Sequence, residues 1–184
     1  MPEAPAERSQ RKDQLRNRRR LLTAAKDVLT EYGADVSLAE IARRAGVGPT
    51  TLYRHFANKD ALVEALLDDL SAGALQIAER ARALDDPWEA FRLVFTESCV
   101  LSPQDLTLFD LLSRHSPHAA SRARALTADV VGPLTARAQR AGELRPDIDA
   151  QDVAALMRLT DVLPPGPQRR KALEVLLDGL RTTT

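Results

Sequence analysis

The chain has 184 residues, enough to bury a core in one domain or in two small ones. With 44% hydrophobic and 28% charged residues, its composition is that of an ordinary soluble globular protein. The formal net charge is zero, but residues 1–60 hold 12 Lys/Arg against 8 Asp/Glu, a net of +4, and residues 61–184 hold 14 against 18, a net of −4. A basic head on an acidic body suits docking to phosphate. Across the nineteen residues from Arg8 to Lys26, the basic Arg8, Arg11, Lys12, Arg16, Arg18, Arg19, Arg20 and Lys26 face only Asp13. No apolar run approaches the ~18 residues of a membrane span, and the N-terminus lacks a signal-type apolar stretch, so the expected location is cytoplasmic. Cys99 is the single cysteine, which excludes an internal disulfide and fits a small core residue.

Helical periodicity dominates along the chain and no strand pattern stands out. Residues before about Arg11 read as disordered, within a flexible basic arm over 1–15. Leu21, Ala25, Val28, Leu29 and Tyr32 mark one face of a first helix, which Gly33 ends. Ser37 with Glu40 forms a capping-box pattern for a second helix carrying Ile41, Ala42 and Ala45, and Gly46 closes it. Val47 fills the turn, Gly48 caps, and Pro49 suits the first position of a third helix with Leu52 and Phe56 inward. Asn58 caps a long helix through Leu62, Leu66, Leu70, Ala74 and Ile77. The DDPW segment breaks the chain before a fifth helix with Trp88, Phe91, Phe95 and Cys99 at helical spacing. Pro103 and Pro117 bracket a sixth, holding Leu106, Phe109, Leu112 and Ser113. Ala119 to Ala141 is again helical, with a break or kink expected at Gly132-Pro133. After the GELRPDID loop, Asp149 caps a helix with Val153, Leu156, Met157 and Leu159. The LPPGP turn leads to a last helix, Lys171 to Arg181, with Leu173, Leu176, Leu177 and Leu180.

The informative stretch is Ser37 to Asp60, SLAEIARRAGVGPTTLYRHFANKD. Two short helices joined by a glycine turn, the second bearing Thr50, Thr51, Tyr53, Arg54 and His55 off its apolar face, fit a helix-turn-helix entering a major groove. The alternative for such a pair is plain helix packing. AEIARRAGVGPTTLYRHFANKDAL, with RRRLLTAAKDVLTEYGADVSLAEIA before the turn, resembles the DNA-binding helices of the TetR/AcrR family of bacterial transcriptional regulators. The resemblance covers about Arg16 to Leu62, roughly a quarter of the chain. Gly48 stands where that family often has Ser, and Thr50 where it often has a smaller residue. Both departures bear on which bases are read.

The resemblance implies an all-α protein: a helix-turn-helix domain over 16–60 and a ligand-binding and dimerisation domain over 61–184. Arg54 suits either guanine or phosphate, and Thr50 and Thr51 suit a thymine methyl or a phosphate. Pro49 starts the recognition helix, and Ser37 both caps its own helix and aims that helix end at the DNA backbone. The family implies that Tyr53 and His55 lie against the sugar-phosphate chain, with simple packing as the alternative for Tyr53, and that Lys59 grips a phosphate beside helix-end amides.

The family also implies a homodimer through the last two helices. A two-fold operator requires one, because a six-residue recognition helix spans only ~9 Å. Leu156, Leu159, Leu173, Leu176, Leu177 and Leu180 are the expected interface. A small apolar or amphipathic effector is expected against Trp88, Phe91, Phe95, Phe109, Leu112 and Met157, with His115 and Asp161 as polar anchors. His115 and His118 do not read as a metal pair: Pro117 interrupts the helix between them and no nearby cysteine or acidic pair completes a site. No phosphate loop, nucleophile–base motif or metal-spaced carboxylates point to an enzyme or a cofactor. The leading function is a ligand-responsive repressor on a palindromic operator; the alternative is a constitutive DNA-binding protein without an effector.

Overall fold

The computed structural model describes residues 5–97, 102–161 and 163–182, with side chains for all of these except 5–11, Pro103 and Asp161. Cys99 and the side chain of Asp161 therefore lie outside the described residues. Nine helices occur among the described residues: α1 Pro5–Tyr32, α2 Leu38–Ala45, α3 Pro49–His55, α4 Lys59–Arg82, α5 Pro87–Glu97, α6 Pro103–Ser113, α7 Pro117–Arg140, α8 Ala150–Asp161 and α9 Pro167–Leu180. The only β feature described is one antiparallel bridge, Leu144 to Arg181. No helix among the described residues is long and apolar enough to cross a membrane.

Two compact units form: Met1–Leu67 with Thr107–Ala120, and Asp68–Leu106 with Ser121–Thr184. The expected boundary at residue 60 falls inside the first turn of α4, so the first unit continues to Leu67 and takes in a second segment. In this unit α1 packs on α2, and α2 on α3. Leu21, Ala25, Val28 and Leu29 of α1 are buried, as are Ile41, Ala42, Leu52 and Phe56. Tyr32 departs from the expected face: it is 58% exposed at the last position of α1, where Gly33 at φ 82° ends the helix. α1 also starts earlier than expected. Residues 5–15 are helical, since after Pro5, a favoured first-turn residue, the segment is rich in Ala, Glu, Arg, Gln and Lys with no further breaker. In α6 the buried positions are Leu108 and Leu112, while Leu106 and Phe109 are only partly covered.

The second unit is built around one apolar cluster. Ile77, Ala78 and Ala81 of α4, Trp88, Phe91, Val94 and Phe95 of α5, Val131 and Leu134 of α7, Val153 and Met157 of α8, and Leu173, Leu177 and Leu180 of α9 all contribute. α7 runs through Gly132 and Pro133 without a break. Pro133 has no N–H for the carbonyl four residues back, at Asp129, and that carbonyl accepts instead from the Arg82 guanidinium. Arg137 of α7 returns the arrangement by donating to the carbonyls of Arg82 and Asp85. Asp149 caps α8 as expected, accepting from the N–H groups of Gln151 at 2.7 Å and Asp152 at 2.9 Å. The end of α9 is pinned by Arg145 N–H to Leu180 O and Thr182 N–H to Glu143 O, both at 3.0 Å. The Arg181 guanidinium lies 4.9 Å above the Trp88 ring.

Candidate nucleic-acid interface

Local chemistry fixes the angle between α2 and α3. Ser37 Oγ accepts from the Glu40 N–H at 3.2 Å and starts α2. The reciprocal half of the expected capping box is replaced: the Glu40 carboxylate accepts from Arg43, Nε donating at 2.9 Å, which holds Glu40 below the usual carboxylate range. At the other end Gly46 takes φ 64°, its N–H donates to Arg43 O, and the Val47 N–H reaches Ala42 O, both at 3.1 Å. These two crossed bonds are the Schellman termination, which needs a left-handed residue and so favours glycine. Gly48 then caps α3 without a side-chain hydrogen bond and Pro49 occupies its first turn. Arg44 ties α2 back to α1 through Glu31 at 2.8 Å.

α3 turns Leu52 inward, fully buried, and Phe56 closes it from the C-cap position at 1% exposure. Pro49, Thr50, Tyr53 and Arg54 occupy the opposite, exposed side, with Thr51 and His55 partly covered. That side presents two hydroxyls, a phenol and a guanidinium within two helical turns, a set suited to base edges and phosphates. Lys59 begins α4, where Asn58 Oδ1 accepts from the Ala61 N–H at 2.9 Å.

Sequence reasoning missed what braces this helix from α1. The Arg18 guanidinium lies 4.9 Å above the Phe56 ring, and Gln14, Leu15 and Arg18 line a cleft with Arg54 and His55. The spacing of α1 alone signals a basic stripe, but the pairing of Arg18 with an aromatic 38 positions away has no local signature. His55 is set apart from the other interface residues. Its Nε2 is enclosed and has no hydrogen-bond partner among the described residues, and burial, then Arg54 and Arg18, pull its ionisation below the ordinary histidine range.

The expected effector residues fall into two groups. Trp88, Phe91, Phe95 and Met157 all sit in the second unit's apolar cluster, with ring centroids 5.7 Å apart for Trp88–Phe91 and 5.8 Å for Phe91–Phe95. Phe109, Leu112 and His115 belong to the first unit. Two carboxylates distant in sequence face the two histidines: Asp60 and Glu64, one turn apart on α4. His115 Nε2 is 4.0 Å from Asp60 Oδ1, and His118 Nε2 is 3.6 Å from Glu64 Oε2. Each histidine faces its own carboxylate, and no metal-holding group of three or more forms among the described residues.

With this geometry in place, the comparisons with known proteins are specific. A family model described as bacterial regulatory proteins, tetR family, matches residues 21–66, and one described as transcriptional regulator SbtR-like, C-terminal domain, matches residues 86–182. An HTH-type transcriptional regulator of Staphylococcus aureus is 30% identical over 121 residues, 62% of this chain and 63% of that protein. The HTH-type transcriptional activator FasR of Mycolicibacterium smegmatis is 32% identical over 146 residues, 62% of this chain and 67% of that protein. The chain thus spans about two thirds of the length of these curated relatives. The crystal structure of the TetR transcription regulatory protein from Mycobacterium vanbaalenii is 34% identical, covers 94% of this chain and 99% of that one, and superposes with a TM-score of 0.56. The helix-turn-helix geometry and these matches agree: the chain belongs to the TetR family of bacterial regulatory proteins and is a DNA-binding transcriptional regulator.

Proposed function

We propose that this regulator is a repressor that binds a palindromic operator as a homodimer and is released by a small apolar or amphipathic effector. The observation that carries the DNA half is the exposed side of α3, where Pro49, Thr50, Tyr53 and Arg54 stand opposite the buried Leu52 and Phe56. In this reading Thr50, Thr51 and Arg54 reach base edges or phosphates, while Ser37, Tyr53, His55 and Lys59 fix the helix against the backbone. α3 has seven residues, a rise of about 10 Å. One copy therefore reads few base pairs, and two-fold pairing supplies the rest.

The homodimer is proposed on α8 and α9, which pack on each other. Leu173, Leu177 and Leu180 are consumed by the core, so half of the leucines expected at the interface are not available for it. Leu159 at 63% exposure and Val175 at 65% remain, beside the partly covered Leu156 and Leu176. The effector is placed in the second unit beside Trp88, Phe91, Phe95 and Met157. It acts by binding one of two states better than the other.

The reading is tested with a duplex that the protein selects from a random-sequence pool. A small amphiphile that shifts Trp88 fluorescence and releases this duplex supports it. Compounds that raise the melting temperature but leave both Trp88 emission and DNA affinity unchanged count against the effector site. The constitutive alternative draws on one observation: Phe91 and Phe95 are fully buried with their rings in tilted contact, so this part of the core is already filled by protein.

A further inference from the structure

Asp60, Glu64 and Asp68 fall four residues apart on α4 and so share one stripe of that helix. Each meets a side chain from the stretch around the start of α7. His115 Nε2 stands 4.0 Å from Asp60 Oδ1, His118 Nε2 3.6 Å from Glu64 Oε2, and Arg122 Nη2 2.7 Å from Asp68 Oδ1. The first two pairs lie in the first compact unit and the third in the second. The rungs differ in kind. Arg122 is charged at every working pH, whereas a histidine charges only on protonation, ordinarily near pH 6.5.

The corner that carries the two histidines is held by its own bonds. His115 N–H donates to Leu112 O at 3.0 Å as α6 ends. Ser116 Oγ accepts from the Ala119 N–H at 3.1 Å, and Pro117 begins α7. Leu112 and Ala119, on either side of the corner, are buried. Both imidazoles are thus presented from a fixed turn. The neighbouring guanidiniums are engaged, that of Arg114 with the Asp110 carbonyl and that of Arg122 with Asp68. On α4, Lys59 adjoins Asp60 in sequence. A neutral imidazole gains little from a carboxylate at these separations, and a protonated one forms an ion pair.

We infer that the α6–α7 corner is a proton-operated clasp on the first two turns of α4. As pH falls from 8 to 6 the histidines charge, the carboxylates keep their charge, and both rungs close. The regulatory consequence rests on the DNA-binding reading of α3. Lys59 opens α4 three residues after Phe56, the C-cap of α3, so holding the first turns of α4 holds α3 and Lys59 in the arrangement described above. Proton uptake therefore favours DNA binding, with the contribution present at pH 6 and lost by pH 8.

The test measures binding of the full chain to a duplex that it selects from a random-sequence pool, at fixed ionic strength from pH 8 to 6. Wild type is compared with His115→Gln/His118→Gln, whose side chains stay polar but cannot charge; titration of His55 is common to both proteins. The ratio of their affinities should be about 1 at pH 8 and about fourfold per subunit at pH 6, roughly twofold for each exposed pair. In an Asp60→Asn/Glu64→Gln background the same two substitutions should leave the ratio near 1 throughout. A ratio of 1 at every pH in the natural background overturns the inference. So does an equal rise without the carboxylates, which would mean that the imidazolium charge acts on DNA directly. The melting temperature of the histidine variant should match wild type at pH 8 and fall below it at pH 6, and equal values at both overturn the clasp. Zinc that raises the melting temperature of wild type but not of the variant at pH 8 also overturns it, in favour of a metal clasp with neutral imidazoles. If no duplex is enriched from the pool, the DNA-binding reading fails, and the melting comparison still decides the clasp.

Discussion

Arg82 donates to the main-chain carbonyl of Asp129, the acceptor that Pro133 leaves without its helical donor. One side chain from α4 thus does what a backbone N–H does elsewhere in α7, and the helix continues through a proline. Arg82→Ala should lower the stability of the second unit by about 0.5–1.5 kcal/mol, because a charged donor is lost and water must take its place on an exposed carbonyl. In a Pro133→Ala background the residue at 133 has its own N–H, and the same substitution should cost clearly less. A double-mutant cycle followed by Trp88 fluorescence, which reports on that unit, measures the coupling. Strictly additive effects would show that Arg82 does not repair the proline site.

This pair also shows where sequence reading stops. The α2–α3 turn was legible because its determinants are local: Ser37 three residues before Glu40, Gly46 at the one position needing a left-handed backbone, and Pro49 in the first turn of α3. The continuity of α7 was not legible, since the donor that rescues Asp129 lies 47 residues away. The same holds for Arg18 over Phe56, and for the carboxylates that Asp60 and Glu64 bring to His115 and His118. Periodicity identified apolar faces on α8 and α9. It did not separate Leu177, which the core takes, from Val175, which the core leaves open.

The two glycines of the turn should respond oppositely to substitution. Gly46 is left-handed at φ 64°, and a Cβ there also meets Arg20 Nη2 at 3.1 Å. The arginine end is free to shift, so the backbone decides the outcome, and Gly46→Ala should cost about 1–2 kcal/mol. Gly48 has ordinary φ −70°, open space for a Cβ and no side-chain cap. Gly48→Ser should therefore stabilise α3 by a few tenths of a kcal/mol. Thermal unfolding of both variants checks the pair, and an equal change of the same sign would contradict this account of the turn.

His55 should make stability depend on pH. Burial first, then Arg54 and Arg18, depress its ionisation in the folded chain, so the unfolded chain takes up the proton first as pH falls. The contribution is fully present above the ordinary histidine value of about 6.5 and is lost below it. Melting temperatures of wild type and His55→Gln, recorded from pH 7.5 to 5.5, should diverge, with the wild type falling more steeply. Parallel curves would mean that His55 titrates as if exposed.

Dimerisation should depend on the apolar side chains that the core does not use. Wild-type protein should sediment at twice the 20.2 kDa chain mass at micromolar concentration. Leu159→Glu/Val175→Glu should sediment as a folded monomer with weakened operator binding, whereas Leu177→Glu should unfold the second unit. A wild-type monomer under these conditions would remove the dimer from the account.

The central claim is that α3 reads DNA while Lys59 and its neighbours hold phosphate, and salt-dependent binding of a selected operator tests it most directly. Lys59→Ala should lower the log–log salt slope by about 0.9 per subunit, close to 2 in a dimer, and weaken all sequences alike. Thr50→Ala or Arg54→Ala should instead change the ranking among operator variants, at about 1–3 kcal/mol per lost base contact. An unchanged slope in Lys59→Ala, together with a uniform loss across operator variants in Arg54→Ala, would contradict the roles assigned here.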